Sequence, residues 1–158
     1  MSNITHSGGC QCGAIRFRID GELGDASVCH CRMCQKAFGG FYAPLVSVRD
    51  AKLIWTRGQP SRFKSSNFVE RGFCNQCGTP LFYEAPDGVA MAIGAFDTPA
   101  DIEPTVQFGV EGKLPYVDDL PSLPNRHTIE DIEAAPFLTE LVSHQHPDHD
   151  TDGWPPKT

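Results

Sequence analysis

The chain has no run of lysine or arginine, no apolar stretch of about 18 residues and no even complement of cysteines. Each absence removes a class of protein. A net charge of −7 and a pI near 5.2, without a basic stripe, give a surface that repels phosphate backbones, so no nucleic-acid partner is expected. The start, 1-MSNITHSGGCQCG-13, lacks a basic opening followed by an apolar core, and nothing further along reads as a membrane span. The expectation is a soluble, cytoplasmic protein with no membrane partner. Seven cysteines in a reducing compartment do not make a disulfide framework, which leaves metal ligation or thiol chemistry.

At 158 residues the chain suits one domain with a real core. What it has most of is short segments rich in β-branched and aromatic residues: 15–19, 41–48, 52–55, 68–73, 81–85, 89–96 and 105–110. Turn signals such as 57-RGQP-60 and 86-PDG-88 separate nearly all of them, which predicts an all-β fold of short antiparallel sheets with little helix. One helical turn is expected at 33-MCQKAF-38. A second helical segment is expected within 127–143, where Thr128 suits an N-cap and Pro136 interrupts or ends the helix. The run 113-KLPYVDDLPSLP-124 reads as an extended connection. Residues 144–158, with His144, His146 and His149 among prolines and aspartates, read as a solvated, poorly ordered tail rather than a metal-binding tract.

The cysteines fall into three groups, 10-CQC-12, 29-CHCRMC-34 and 74-CNQC-77. The last has the form of a zinc knuckle, two thiols gripping one ion while Gly78 lets the backbone turn away. Its complement is the glycine-flanked pair Cys10 and Cys12. Together these four thiolates close a tetrahedral shell with Zn–S bonds of about 2.3 Å, a structural zinc that can contribute on the order of 10 kcal/mol to folding. Separate free thiols are the alternative; the glycine flanks and the Cys-x-x-Cys-Gly turn favour the shared ion.

Cys29, Cys31 and Cys34 then remain. Three protein ligands and one exchangeable position define a catalytic zinc. Cys29 and Cys31 share one side of an extended segment, and Cys34 returns over the first helical turn, whereas His30 points away and suits a hydrogen bond or a core contact. A zinc held by three thiolates is electron-rich and activates water weakly; it better holds another sulfur as thiolate and presents it to an electrophile. The expected partner is therefore a small-molecule thiol. Among nearby groups, Arg71 reads more readily as a surface arginine paired with Glu70 or an aspartate than as a carboxylate receptor. Lys36 either steadies an anion or is solvated. Phe38, Gly39, Gly40 and Phe41 suit an apolar lip, with Phe38 equally suited to core, and Asp97 suits a turn cap better than a proton shuttle.

The elements 8-GGCQCGAIRF-17, 29-CHCRMCQKAFGG-40 and 73-FCNQCGTPLFY-83, in that order and followed by 119-DLPSLP-124, resemble the glutathione-dependent formaldehyde-activating enzyme family, which includes centromere protein V. The resemblance implies a β-tent fold over a catalytic domain of residues 1–126. It implies a structural zinc on Cys10, Cys12, Cys74 and Cys77 and a second zinc, open to partial occupancy, on Cys29, Cys31 and Cys34. It also implies a carbon-sulfur lyase joining formaldehyde with glutathione to give S-hydroxymethylglutathione. The chain departs from the pattern late. Where members often carry a His and a Trp, it has 106-VQFG-109 and Tyr116, positions that bear on the substrate rather than the metals. A noncatalytic zinc-binding interaction module and a thiol redox or metal-buffering protein remain as alternative classes.

Overall fold

Alternation of large apolar and polar side chains is clearest in Arg16–Asp20, where Phe17 and Ile19 are fully buried and Arg18 faces solvent. This strand, β2, is the middle of a three-stranded sheet between β1 (Thr5–Gly9) and β5 (Lys52–Arg57), all antiparallel. The computed structural model describes residues 3–155. Its second sheet has seven strands: β3 (Ala26–Cys29), β4 (Ala43–Ser47), β6 (Ser61–Lys64), β7 (Glu70–Phe73), β8 (Pro80–Ala85), β9 (Gly88–Ala92) and β10 (Val106–Phe108). Their order is β10-β3-β4-β9-β8-β7-β6. Every pairing is antiparallel except β10 with β3, which is parallel because the chain crosses from β9 to the far edge before pairing. The fold is all-β, as the strand pattern predicts.

The two sheets meet through one apolar core. Phe17 and Ile19 from the small sheet join Val46, Leu81, Phe82 and Met91 from the large one. Phe17 stacks edge-on against both Trp55 and Phe96, at 6.0 and 5.2 Å between centroids. The fit is tight enough to dictate two glycines. A Cβ on Gly8 would lie 2.5 Å from the Phe17 ring, and one on Gly72 would lie 2.5 Å from Cζ of Phe82.

The one α-helix among the described residues, α1 (Arg32–Phe38), confirms the expected turn after the cysteine cluster and ends on Gly39 in the left-handed region at φ 62°. The helix expected over 128–141 is instead two separate 3₁₀ turns, Thr128–Asp131 and Pro136–Glu140. Pro136 opens the second turn because its missing N–H costs nothing there, whereas inside a helix it would break the ladder. The run 113–124 contains the turn Val117–Ser122 rather than being extended throughout.

Residues 144–155 correct the expectation of a solvated tail. His146 is buried, its backbone N–H donates to the Gln11 carbonyl at 2.7 Å, and the Trp154 indole N–H donates to the Cys12 carbonyl at 2.6 Å. Asp150 pairs with buried Arg16, and the Thr151 hydroxyl meets His146 Nε2 at 2.8 Å. The segment straps over the Cys10–Cys12 loop. Residues 156–158 of the expected tail lie outside the described residues. No helix among the described residues is long and apolar enough to cross a membrane.

Candidate metal centres and their cavity

Cys10 and Cys12 sit in the loop that turns β1 back into β2, with Gly13 at φ 81° directly after them. Cys74 and Cys77 occupy the turn between β7 and β8, where the Gly78 N–H donates to the Cys74 carbonyl and Gly78 takes φ 82°. Backbone amides point at the sulfurs: Ile15 N–H at Cys10 Sγ, 3.3 Å, and Gln76 N–H at Cys74 Sγ, 3.4 Å. The Ile15 donor favours the Cys10 thiolate. The four Sγ atoms all lie within 4.8 Å of one another. Cys10 and Cys12 are 3.6 Å apart at sulfur, Cys12 and Cys74 3.9 Å. A tetrahedron with metal–sulfur bonds of about 2.3 Å has edges of about 3.8 Å, so the spacing fits a four-thiolate shell.

The electrostatics carry the same message. Burial pushes the Cys10 thiol up to about 12, against the Ile15 amide, which favours its thiolate. For Cys77 burial also acts upward, but hydrogen bonds from the Thr79 hydroxyl and backbone outweigh it and bring the thiol down to about 6. Burial disfavours the charged forms of Cys10 and Cys12, which a cation among the sulfurs would offset.

The second group forms where β3 runs into α1. Cys29 ends the strand, and Cys31, still extended at φ −60° and ψ 151°, is the helix N-cap, its sulfur accepting the Cys34 amide at 3.4 Å. The helix then returns Cys34 to the other two, and the three Sγ atoms lie within 4.8 Å of one another. Burial, with the adjacent Cys31 and Cys34 sulfurs, pushes the Cys29 thiol up to about 12; Cys31 is held below the ordinary value because the Cys34 amide, its neighbours and Arg71 outweigh its burial. No fourth His, Cys, Asp or Glu joins this trio among the described residues.

His30 points away, as the alternation requires. It is 1% exposed, with Nε2 at 2.8 Å from Gln107 Oε1 and its ring edge-on to Tyr42. Gln35, Gly109 and Gly112, to which the sequence assigned no such role, hold the cluster's loop. Buried Gln35 donates from Nε2 to the carbonyls of His30 and Gly112, at 2.7 and 2.9 Å. Gly109, at φ 63°, lets β10 approach so closely that a Cβ would lie 2.9 Å from the Cys31 nitrogen. A Gln three to four residues into a short helix carries no sequence signal for this; the paired glycines 109 and 112 do mark a close backbone approach.

Beside the trio lies a cavity of about 360 Å³ that touches six strands of the large sheet, with Cys29, Leu45, Ala90, Tyr83 and Arg71 on its wall. Phe108 lines it too, so one of the late positions that depart from the family pattern does reach the cavity; Tyr116 instead stacks on Phe41 at 5.5 Å. The expected lip moves elsewhere: Phe38 packs against the cores and Phe41 is 43% exposed, neither on the cavity wall. Lys36 is exposed on α1. Asp97 is remote from the trio, ion-paired to Arg16 and accepting the Ser7 hydroxyl at 2.6 Å.

Arg71 is the largest correction. It is 7% exposed rather than a surface cation, and Glu70 pairs instead with Arg62 at 2.9 Å. Successive strand residues face opposite ways, so Glu70 goes outward and Arg71 inward. Its Nη2 donates to Cys34 Sγ at 3.4 Å and its Nε to Ser65 Oγ at 3.0 Å.

Fold and sites together define a small all-β protein with one four-thiol and one three-thiol cluster competent to hold metal. The chain belongs to the glutathione-dependent formaldehyde-activating enzyme family, whose model matches residues 5–111. It is similar to an uncharacterized lyase of Schizosaccharomyces pombe, with 31% identity over 90 residues covering 52% of this chain and 60% of the relative. The chain thus matches less than two thirds of that protein's length. It is also similar to a Rhodobacter sphaeroides protein of known crystal structure, at 20% identity and a TM-score of 0.49, covering 64% of this chain and 98% of that one.

Proposed function

We propose that this protein is a zinc-dependent enzyme of the carbon-sulfur lyase type, acting on a small thiol or its aldehyde adduct, of the glutathione and S-hydroxymethylglutathione class. The observation that carries the reading is the trio itself: three sulfurs converge on the wall of a cavity of about 360 Å³ with no fourth ligand beside them among the described residues. In this reading Cys10, Cys12, Cys74 and Cys77 hold a structural zinc within a β-tent, and Cys29, Cys31 and Cys34 would hold a second. Zinc bound there would supply a soft Lewis acid that keeps a substrate sulfur ionised near neutral pH.

The chain's own residues do the rest. The Cys34 amide and Gln35 fix the loop that carries the ligands, so the open side faces the cavity. Leu45, Val69, Ala90 and Phe108 give that cavity an apolar wall, which limits water around a small aldehyde. In the forward direction the thiol sulfur forms a bond to the carbonyl carbon, the C=O π bond breaks, and the thiol proton ends on the former carbonyl oxygen. The lyase direction reverses each step. The partner is a small thiol, with no role for nucleic acid or membrane, in the cytoplasm.

The test is exchange between glutathione, labelled formaldehyde and their adduct, followed by NMR against the uncatalysed background. The wild-type chain accelerates exchange and folded Cys31→Ser does not. A wild-type rate equal to background across several small thiols and aldehydes, or full activity in Cys31→Ser, overturns the reading.

A further inference from the structure

Arg71 is a buried cation without a carboxylate. None of the ion pairs among the described residues includes it. Its guanidinium carbon stands 5.2 Å from the Tyr83 ring centroid, Nε and Nη2 are used by Ser65 and Cys34, and Nη1 is buried with no hydrogen-bond partner. A guanidinium held out of water without a counter-charge is costly, and an orphan N–H on it adds to the cost. Both costs point toward the cavity, whose wall Arg71 shares with all three cysteines.

The charge arithmetic gives this position a meaning. A divalent ion with three thiolates carries one net negative charge, which would repel a fourth anion. The guanidinium cancels that charge at hydrogen-bonding range of Cys34. We propose that Arg71 is the positioning residue that makes the open side of the three-cysteine site accept an anionic sulfur ligand in preference to a neutral one, with Nη1 as the donor reserved for it. The inference rests on the proposed thiol-binding role of the trio and assigns the residue that determines the charge of what binds there. The Tyr83 ring beside the guanidinium favours a cation at this position.

The full chain loaded with Co²⁺ reports the fourth ligand through its sulfur-to-cobalt absorption and its d–d bands. Titration with 2-mercaptoethanol, an anionic ligand when bound, and with imidazole, a neutral one, gives two affinities whose ratio is the readout. Arg71→Gln is expected to weaken the thiol by about tenfold or more, the loss of one charge-assisted contact, and to leave imidazole within a factor of about two. Arg71→Lys keeps the charge and is expected to keep most of the preference; if Arg71→Gln does not load metal, Arg71→Met, which also removes the charge, takes its place and is expected to lose the preference. Equal weakening of both ligands by Arg71→Gln, an unchanged ratio, or loss of the preference in Arg71→Lys overturns the assignment. If the wild-type chain shows no thiol-dependent change at all, the thiol-binding role fails, and this assignment with it. If thiol binds but the ratio ignores position 71, only the assignment fails.

Discussion

Replacing Asp97 by asparagine removes one carboxylate from beneath the strap while changing almost no volume. Arg16, 3% exposed, is held by both oxygens of Asp97 at 2.9 and 2.6 Å and by Asp150 at 2.7 Å. The two acids are unequal. The Asp97 side chain is 9% exposed and that of Asp150 64%. Breaking a buried pair costs about 3–5 kcal/mol, and because Asp150 remains as a partner the low end applies, about 3 kcal/mol. For a chain of this length that is a fall of roughly 6–12 °C in Tm. Asp150→Asn removes an exposed, screened partner and is expected to cost under about 1 kcal/mol. Thermal or urea unfolding at neutral pH, with metal content checked in each variant, measures both. Burial alone would raise the Asp97 carboxyl, but Arg16 and the Ser7 hydroxyl outweigh it and hold it below the ordinary range. Its contribution is therefore complete above the unfolded value near 4 and is lost only as pH falls through the lowered folded value. The gap between wild type and Asp97→Asn should be flat from pH 5 to pH 8. Equal costs for the two variants, or a gap that closes within that window, would refute the reasoning.

Other consequences concern the strap and the core. His146 lies below its ordinary pKa through burial first, then through Arg16 and Arg57. Docking of residues 144–155 should thus be complete above the free value of about 6.5 and loosen as pH falls through the lowered one. Limited proteolysis at pH 7.5 and 5.5 should show faster cleavage at the lower pH, and Trp154→Ala should make cleavage fast at both. Gly72→Ala would drive a Cβ into the Phe82 ring and should cost about 1–3 kcal/mol by urea denaturation. A neutral result there would mean that the ring moves freely and the core is looser than drawn.

Much of this molecule is legible in its sequence where pattern and burial agree. Phe17 and Ile19 alternate with Arg16 and Arg18, and β2, β4, β5, β7, β8, β9 and β10 all fall within or beside the expected runs. The strands without a signal, β1 (THSGG), β3 (ASVC) and β6 (SRFK), are polar or glycine-rich; their neighbours' registers, not their own propensities, make them strands. Gly8 is there because the Ala95 carbonyl and the Phe17 ring lie where its side chain would be. The grouping of seven cysteines into four and three was readable from spacing and glycine flanks, and the sulfur positions agree with it. Arg71 was not readable, because its neighbour Glu70 offers an obvious local partner and only the strand's alternation sends the two to opposite faces. The strap escaped for a similar reason: a segment of His, Pro and Asp has no periodicity, and Trp154 and His146 find their partners more than 130 residues away in sequence.

Metal analysis of the full chain, as wild type, Cys31→Ser and Cys77→Ser, with and without glutathione, tests the division of the sulfurs most directly. Two zinc ions in the wild type, about one in a Cys31→Ser that keeps its fold, and collapse of Cys77→Ser are expected, with glutathione altering only the ion that Cys31→Ser loses. Identical metal loss and identical unfolding in the two variants, or a single ion in the wild type, would contradict it.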